Sequence, residues 1–495
     1  MAASQVRRSV FPNVAESAHH SCAAPRLVVA GLSGDSGKTL VSLALVLLAR
    51  QCGIPIKAFK KGPDYIDAAW LRWASGSPAP NLDTFLMGPE KVAQQFLANS
   101  LPVGLNLVEG NRGLFDGVDA HGTHSTAELA KLLKAPVLLV VNASKVTHTV
   151  AALVLGCMTL DPNVEIGGVV LNHVSGGRHE KILRESLEST CRVPVLGILP
   201  NVDASVLLPG RHLGLVTPQE HSSIDQLGEK ILAIAHGRLD AGRILELAES
   251  AHPLPGRPVK KTGQTQDGHG LKIVYLNDSA FTFYYPENLE ALEASGAELC
   301  PVSAFSASAL PEDLDALYIG GGFPETHAGA LSKNHSLLAS IRDHALKGLP
   351  VYAECGGLML LAQAIRWKGT KFRMAGVLPF EVEVCTKPQG HGYEELLIDR
   401  PNPYYPVGTR IRAHEFHYSK IIPAGALPPT SCAVKRGTGC FQRRDGMLVE
   451  NVWASYAHVH AVATPEWAQG LLSRAHNFRR RKLDLNGLER PVCAA

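Results

Sequence analysis

A glycine-rich turn between an apolar run and a helix-like run most constrains how this chain can fold. Residues 31–39 read Gly-Leu-Ser-Gly-Asp-Ser-Gly-Lys-Thr, directly after the apolar residues 27–30 and before the helix-like residues 40–49. A strand, a glycine turn and a helix start in this order form a cradle whose backbone N–H groups face a bound anion. The spacing departs from the strict phosphate-loop pattern because five residues, not four, separate Gly31 from Gly37. The context still predicts a loop that binds a nucleotide triphosphate, with an unrelated glycine turn as the alternative.

The side chains of this loop predict ATP together with Mg²⁺. Lys38 is expected to reach the β- and γ-phosphates, and the Thr39 hydroxyl is expected to bind Mg²⁺. Asn172 ends a later apolar run, where its amide can read adenine or can form a turn. The predicted ATP-binding residues are Gly34, Ser36, Gly37, Lys38, Thr39 and Asn172.

Composition places the chain among multi-domain globular proteins without an obvious polyanion or membrane surface. Its 495 residues are 45% apolar and suffice for two or three domains, while the net charge is only +3. We therefore predict neither nucleic acid nor membrane as a partner. The ten cysteines include no C-x-x-C pair, so neither zinc nor a redox dithiol is indicated, and use of ATP favours the cytoplasm.

Short apolar runs alternate with helix-length segments along most of the chain, which predicts an α/β fold with two domains. Each domain is expected to be a mostly parallel sheet with helices on both faces. Strands are predicted at 27–30, 54–59, 105–108, 136–141, 167–171 and 195–199, then at 272–276, 316–319 and 350–353, with shorter pieces around 376–384, 409–419 and 447–453. The predicted divisions are a disordered tail at 1–24, domains at 25–237 and 271–478, a linker at 238–270 and a tail at 479–495.

Acidic residues follow two predicted strands of the first domain. Asp64 and Asp67 come just after the second strand, Glu109 closes residues 105–109, and Asp116 follows within the next glycine-rich loop. Because the carboxyl ends of parallel strands line the ligand crevice, these carboxylates are expected beside the phosphate loop. Thr39, Asp64 and Glu109 are therefore predicted to hold Mg²⁺. Helix capping and exposed loop positions are the alternatives for any one of them.

A cysteine in the second half stands at the end of a predicted strand, before two glycines and a helix-like run. Residues 351–358 read Val-Tyr-Ala-Glu-Cys-Gly-Gly-Leu, which is typical of a nucleophile elbow. Backbone N–H groups at such a turn favour a thiolate and an oxyanion. Residues 318–325 add a second glycine turn, and His458 is the best candidate base. The alternative for Cys355 is a buried cysteine that packs in the core and does not react.

Several of these segments together resemble the cobyrinic acid a,c-diamide synthase family. Glu-Cys-Gly-Gly at 354–357, Gly-Gly-Gly-Phe-Pro-Glu at 320–325 and Tyr-Ala-His at 456–458 are similar to its class I glutamine amidotransferase-like domain. The segments at 61–67, 81–83 and 109–117 resemble its synthetase domain, which is related to dethiobiotin synthetase. The resemblance covers about residues 26–465 and implies a P-loop NTPase fold followed by a class I glutamine amidotransferase-like fold.

The resemblance also implies residue roles. Cys355 is the expected nucleophile and His458 the base that raises its nucleophilicity. The implied glutamine and oxyanion site consists of Gly321, Gly322 and Gly356. The implied substrate and acyl-phosphate site consists of Tyr65, Asp67, Asp116, His414 and His417. For the two histidines, packing is an alternative to substrate contact, and metal ligation is a further, less favoured one.

Two departures from the family pattern affect the second domain. Many class I glutaminases carry a glutamate two residues after the histidine, where this chain has His460. The third member of the site is therefore absent or comes from elsewhere. Ala413 stands where the family segment has glycine before His-Glu-Phe-His-Tyr-Ser.

The activity that the resemblance implies is ATP- and glutamine-dependent amidation of the a and c acetate side chains of a tetrapyrrole, by way of an acyl phosphate. Cobyrinic acid is the first choice of macrocycle. Hydrogenobyrinic acid, nickel-sirohydrochlorin and sirohaem are alternatives, as is a nucleotide-dependent binding scaffold without activity. A homodimer is an open question at this point.

Overall fold

The computed structural model describes residues 24–202, 207–211, 214–254 and 266–488. The chain divides into two compact units, one of residues 1–84 and 88–261 and the other of residues 85–87 and 262–495. The predicted tail at 1–24 lies outside the described residues except for Ala24.

The described part of the first unit contains a seven-stranded sheet in the order β3-β2-β4-β1-β5-β6-β7. Every neighbouring pair in this sheet is parallel, as predicted. A small antiparallel hairpin of two further strands follows the sheet in the chain. The strands are β1 Arg26–Gly31, β2 Ile56–Lys61, β3 Asn81–Leu82, β4 Leu105–Glu109, β5 Val137–Asn142, β6 Ile166–Val174, β7 Val195–Pro200, β8 Gly210–Arg211 and β9 Gly214–Leu215.

Helices connect the strands of this sheet or follow its last strand, because neighbouring parallel strands need crossover connections. In chain order they are α1 Lys38–Gln51, α2 Tyr65–Ser75, α3 Thr84–Met87, α4 Pro89–Asn99, α5 Thr126–Leu132, α6 Thr149–Leu160, α7 Gly177–Thr190, α8 Ile224–Ala235 and α9 Ala241–Glu249. A short 3₁₀ helix lies at Pro218–Glu220. Strand β1 is buried over its whole length because a central parallel strand is covered on both faces.

The structure differs from the sequence prediction over residues 238–254, which were expected to begin a linker. Helix α9 buries Ile244, Leu245 and Ala248, and the side chain of Asp240 caps its first turn by accepting from the Arg243 N–H. The fully buried Arg26 guanidinium donates to the carbonyl of His252, which ties this segment to β1. The segment is therefore part of the first unit, and the rest of the predicted linker, 255–265, lies outside the described residues.

The described part of the second unit contains a ten-stranded sheet in the order β11-β10-β12-β13-β22-β21-β20-β17-β18-β23. A smaller sheet has the order β15-β14-β16-β19. The strands are β10 Lys272–Leu276, β11 Glu298–Val302, β12 Ala316–Ile319, β13 Val351–Glu354, β14 Ala364–Trp367, β15 Thr370–Arg373, β16 Phe380–Val384, β17 Gly390–Ile398, β18 Arg410–His417, β19 Ser419–Pro423, β20 Thr430–Arg436, β21 Arg444–Val449, β22 Val452–Ser455 and β23 His458–Val459.

Helices of the second unit precede or follow these strands. They are α10 Pro286–Ala294, α11 Ala328–Leu331, α12 His335–Leu346, α13 Gly356–Leu361 and α14 Glu466–Leu488, with a 3₁₀ helix at Gln266–Gly268. Helix α14 buries Trp467, Leu471 and Ala475 against the sheet core. The sequence predicted a tail from 479, but the helix continues to Leu488, with Arg480 and Arg481 exposed.

The large sheet of the second unit is parallel only in one half, whereas the sequence predicted a mostly parallel sheet. Strands β11, β10, β12, β13 and β22 pair in parallel, and β21, β20, β17, β18 and β23 continue antiparallel. Strand β13 is buried at every residue, whereas β18 alternates between buried and accessible residues. Alternation of this kind is typical of antiparallel strands with one covered face, so the α/β class holds with a mixed sheet.

Among the described residues, no helix combines the length and the apolar character that a bilayer-spanning segment needs.

The buried face of α9 gives a test of its place in the first unit. We expect Leu245→Ala to lower the free energy of unfolding of this unit by about 2–5 kcal/mol, because the leucine is 3% exposed and its loss leaves a cavity. Glu246→Ala, an exposed neighbour on the same helix, is the matched control and should change stability by less than about 0.5 kcal/mol. Urea unfolding measures both variants, and equal midpoints would contradict burial of α9.

Candidate functional site

The predicted phosphate loop closes tightly around Gly37 in the first unit. Gly37 has a φ of 92° and precedes helix α1. A side-chain carbon added there would lie 2.1 Å from the amide nitrogen of Asn172, whose Nδ2 donates to the Ser36 carbonyl over 3.1 Å. Asn172 is buried and its Oδ1 accepts from the His173 N–H, so in this structure its amide supports the loop backbone. The predicted adenine contact of Asn172 stays a prediction.

Two further side chains of the loop also bond to the loop itself. Ser36 Oγ accepts from the Ser33 N–H and donates to the Ser33 carbonyl, each over 3.1 Å. Lys38 Nζ donates to the carbonyls of Ser33 and Gly34 over 2.9 and 3.2 Å. Burial lowers the pKa of Lys38, and Lys60 lowers it further. Gly34 has open space around its α-carbon.

A buried charge cluster lies at the carboxyl ends of β2 and β4. The Thr39 hydroxyl donates to Glu109 Oε1 over 2.8 Å, and Lys60 Nζ lies 3.1 Å from the same oxygen. Lys60 also contacts Asp67 Oδ2 at 2.5 Å and donates to the Gly110 carbonyl. The strand register places Lys60 opposite Glu109, which explains why the two meet. Lys60 was not among the predicted site residues, although a lysine directly after the predicted strand at 54–59 and shortly before two acidic residues was a signal.

The ion pairs between the members of this cluster shift the pKa values of its charged groups. Burial alone would lower the pKa of Lys60, but the carboxylates of Asp67 and Glu109 outweigh burial and raise it. Burial raises the pKa of Glu109, and Lys60 opposes part of that rise. Such a cluster stays charged only while each member keeps its partners, because an unpaired buried charge is costly.

The remaining predicted residues of the first unit take separate positions. Asp64 caps helix α2, its Oδ1 accepting from the N–H groups of Ile66 and Asp67, and Tyr65 begins the same helix. Asp116 is exposed and its Oδ2 accepts from the Gly113 N–H, which closes a turn. Helix capping and an exposed loop position, the two alternatives raised above, thus fit Asp64 and Asp116 respectively.

The residues present fit a magnesium ion in part. Glu109 Oε2 is buried and has no hydrogen-bond partner among the described residues, and the Thr39 hydroxyl lies beside the other oxygen. Oxygen ligands of this kind suit Mg²⁺, which is commonly held by one or two carboxylates together with substrate phosphates. No group of three or more histidine, cysteine or acidic residues forms a metal cage in the described parts of the chain. Thr39 and Glu109 therefore fit the ion, whereas Asp64 stays a prediction.

Cys355 occupies a strained turn between β13 and α13 in the second unit. Its φ of 46° and ψ of −97° are unusual for a residue with a side chain, and such strain of about 1–3 kcal/mol is typical of active sites. The Cys355 N–H donates to the Ser455 carbonyl over 2.7 Å, so the turn follows the parallel pairing of β13 with β22. Burial raises the pKa of the thiol, and Glu325 adds to the rise. A base is therefore needed to take its proton.

The three predicted glycines connect this turn with His458. A side-chain carbon on Gly321 would lie 2.5 Å from His458 Cε1, and one on Gly356 would lie 3.1 Å from the Gly322 nitrogen. One on Gly322, which has a φ of 154°, would lie 2.1 Å from the Ala280 carbonyl oxygen. Only glycine allows this close approach, which brings the nucleophile turn, the glycine turn and His458 into one site.

The two other predicted histidines lie on β18 in the second unit, whereas Tyr65, Asp67 and Asp116 belong to the first. His417 is buried and stacks on Tyr456 at 3.7 Å between ring centroids, and its Nδ1 bonds to the Ser419 carbonyl. His414 lies opposite His458 in the register of β18 and β23. Packing, the alternative raised for these residues, describes His417.

Glu354, the residue before Cys355, was not among the predicted site residues. Its carboxylate is fully buried and Oε2 lies 3.7 Å from His458 Nδ1. The only sequence signal was its position beside Cys355, because 103 residues separate Glu354 from His458 in the chain.

Two family models match the chain, one in each unit. Residues 27–216 match the CobQ/CobB/MinD/ParA nucleotide binding domain. Residues 272–465 match the CobB/CobQ-like glutamine amidotransferase domain. The matches cover the phosphate loop and the Cys355 site respectively, in the order that the sequence predicted.

Curated relatives match over nearly their full lengths. A cobyrinate a,c-diamide synthase of Magnetococcus marinus is 42% identical, covering 90% of this chain and 96% of the relative. One of Archaeoglobus fulgidus is 38% identical, covering 91% and 97%. A hydrogenobyrinate a,c-diamide synthase of Streptomyces coelicolor is 38% identical, covering 91% and 98%. The resemblance is thereby confirmed, and the chain belongs to the cobyrinate a,c-diamide synthase family.

Proposed function

We propose that this protein amidates the a and c acetate side chains of cobyrinate with ATP and glutamine. The observation that carries the proposal is the match to synthases of this name over nine-tenths of the chain, together with both sites built as described. ATP and glutamine are the co-substrates, and the macrocycle is the acceptor.

In the second unit, Cys355 attacks the side-chain amide of glutamine. His458 takes the thiol proton and later delivers a proton to the leaving nitrogen, which departs as ammonia. The backbone around Gly321, Gly322 and Gly356 is assigned to the developing oxyanion. Water then hydrolyses the glutamyl thioester and restores the thiol.

In the first unit, residues 31–39 hold ATP, with Lys38 directed to its phosphates. The substrate carboxylate attacks the γ-phosphate to give an acyl phosphate and ADP, and ammonia then displaces phosphate to form the amide. Mg²⁺ bound by Thr39 and Glu109 would neutralise phosphate charge during the transfer. Asp67 and Tyr65 remain our candidates for the acyl-phosphate site, and Lys60 fixes the position of Asp67.

The proposed chemistry also bears on compartment and assembly. Use of ATP and of a free thiol places the reaction in the cytoplasm. A homodimer stays a prediction.

Separate nitrogen sources test the division of labour between the units. We expect Cys355→Ala to abolish amidation with glutamine but to keep amidation with added ammonium, because only release of nitrogen requires the thiol. Lys38→Ala should stop amidation with both sources and keep glutaminase activity. Release of ADP measures the reaction of the first unit, and release of glutamate measures glutamine hydrolysis in the second unit. Loss of ammonium-dependent amidation in a folded Cys355→Ala variant would contradict the proposal.

The phosphate loop offers a matched pair of glycine variants. Gly37→Ala is expected to weaken ATP binding roughly tenfold or more, because the new methyl group meets Asn172 and the positive φ is strained by about 1–3 kcal/mol. Gly34→Ala, in the same loop with open space around it, should bind ATP more tightly than Gly37→Ala. Titration calorimetry with ATP compares the two. Equal affinities of the two variants for ATP would exclude this loop as the nucleotide site.

Competing macrocycles test the acceptor. Cobyrinate, hydrogenobyrinate, sirohaem and nickel-sirohydrochlorin are each offered with ATP and glutamine, and amides are counted by mass spectrometry. We expect two amides on cobyrinate and the highest kcat/KM with it. A higher kcat/KM for sirohaem would favour the sirohaem alternative, and absence of glutaminase with every macrocycle would favour a binding scaffold.

A further inference from the structure

We propose that Glu354 is the positioning carboxylate of the glutaminase site, the third member that the sequence pattern does not supply two residues after His458. The inference rests on the proposed function. It assigns to Glu354 the orientation of His458 and the stabilisation of its protonated form during attack by Cys355.

The first argument is the direction of the imidazole ring. Its Nδ1 lies 3.7 Å from Glu354 Oε2, within ion-pair reach and slightly longer than a hydrogen bond. On the other side of the ring, Cε1 and Nε2 of His458 lie close to Gly321, because this glycine has no side chain to keep them away. One ring nitrogen thus faces the carboxylate and the other faces the glycine turn beside Cys355. Such contacts in unliganded sites tighten when substrate binds.

The second argument is that Glu354 is itself held in place. Its Oε1 accepts from the Val459 N–H over 3.1 Å, and its Oε2 accepts from the Tyr318 hydroxyl over 3.1 Å. Asn288 donates to the Tyr318 oxygen over 3.3 Å and to the Val459 carbonyl over 2.7 Å. The Glu354 carboxylate is therefore fixed against the same strand, β23, that carries His458.

The third argument is chemical. Glu354 is fully buried and His458 is 2% exposed, so a charge on either is weakly screened by water. A carboxylate facing Nδ1 favours the tautomer with the proton on Nδ1, which leaves Nε2 free to accept the thiol proton. It then stabilises the imidazolium that forms.

His460 does not supply this function, although it stands at the position of the usual glutamate. Its Nε2 lies 3.5 Å from Glu287 Oε2, and its Nδ1 accepts from the Val462 N–H over 3.2 Å. Among its described residues, the second unit thus contains three buried histidine–glutamate pairs, His417–Glu415, His458–Glu354 and His460–Glu287. Of these histidines, His458 is the one that lies against the glycine turn beside Cys355. Glu287 is the natural control.

The test compares Glu354→Gln with Glu287→Gln in the full-length protein. We expect Glu354→Gln to lower kcat for glutamine hydrolysis at least about a hundredfold, with KM changed far less, because the amide cannot stabilise the imidazolium. Ammonium-dependent amidation should persist. Glu354→Asp, which keeps the charge, should recover part of kcat. Glu287→Gln should retain glutaminase kcat within about threefold of the wild type, a change worth less than about 1 kcal/mol.

The split between kcat and KM gives a readout that a merely structural role would not move. A folding defect in Glu354→Gln would lower amidation with glutamine and with ammonium alike, whereas loss of the positioning charge lowers kcat for glutamine alone and is partly recovered in Glu354→Asp.

The outcomes separate this inference from the proposed function. No glutaminase activity in the wild type overturns the proposed function. An active wild type with an equally active Glu354→Gln overturns the positioning role alone, as do equal losses in Glu354→Gln and Glu287→Gln. If Glu354→Gln also loses ammonium-dependent amidation, Glu354→Asp decides: partial recovery of glutaminase kcat together with ammonium-dependent amidation supports the role of the charge, and a loss of both activities there overturns it.

Discussion

Parallel strand pairing is the constraint on which both sites depend, because neighbouring parallel strands end at the same edge of a sheet. In the first unit, β1 leads into the phosphate loop, and β2 and β4 carry Lys60 and Glu109 in register at that edge. In the second unit, β13 ends at Glu354 beside Ser455 of β22. The chain therefore assembles each site from residues far apart in sequence without a long loop. A shift of one residue in either register would turn the functional side chains to the opposite face.

Both sites contain buried charged groups, whose removal from water is unfavourable. In each site, neighbouring charged groups or hydrogen-bond donors offset this cost. Lys60 lies between two carboxylates, and Glu354 receives a backbone N–H and a tyrosine hydroxyl besides facing a histidine. Removal of one partner would leave the other desolvated and unpaired, which costs several kcal/mol. These groups are accordingly more sensitive to substitution than the apolar residues around them. They also keep their positions, since few other partners are available in the interior.

Local patterns in the sequence predicted the contiguous motifs well and the distant pairings poorly. The strand, turn and helix around Gly37 and around Cys355 were expected, because each motif lies within about ten residues. The contact of Glu354 with His458 depends on the pairing of β13 and β22, which no local pattern encodes. Helix α9 was missed because the polar residues that follow it were weighted above its short apolar face at Ile244 and Leu245. In the antiparallel half of the second sheet, the pieces predicted around 409–419 and 447–453 match β18 and β21, whereas β17, which contains glycine and glutamate, was missed.

The position of Glu354 explains how the site can work with histidine at 460. A glutamate at position 460 would contact the His458 ring from the same chain segment, just after β23. Glu354 instead contacts the ring from a different strand, β13. The residue after Glu354 is Cys355, the proposed nucleophile, and its positive φ turns the chain so that consecutive side chains lie in different parts of the site. One strand end thus supplies both the thiol and the carboxylate that orients the base. No glutamate is then needed at position 460 to orient the base. His460, which stands there, pairs with Glu287 of helix α10 and packs on Tyr285.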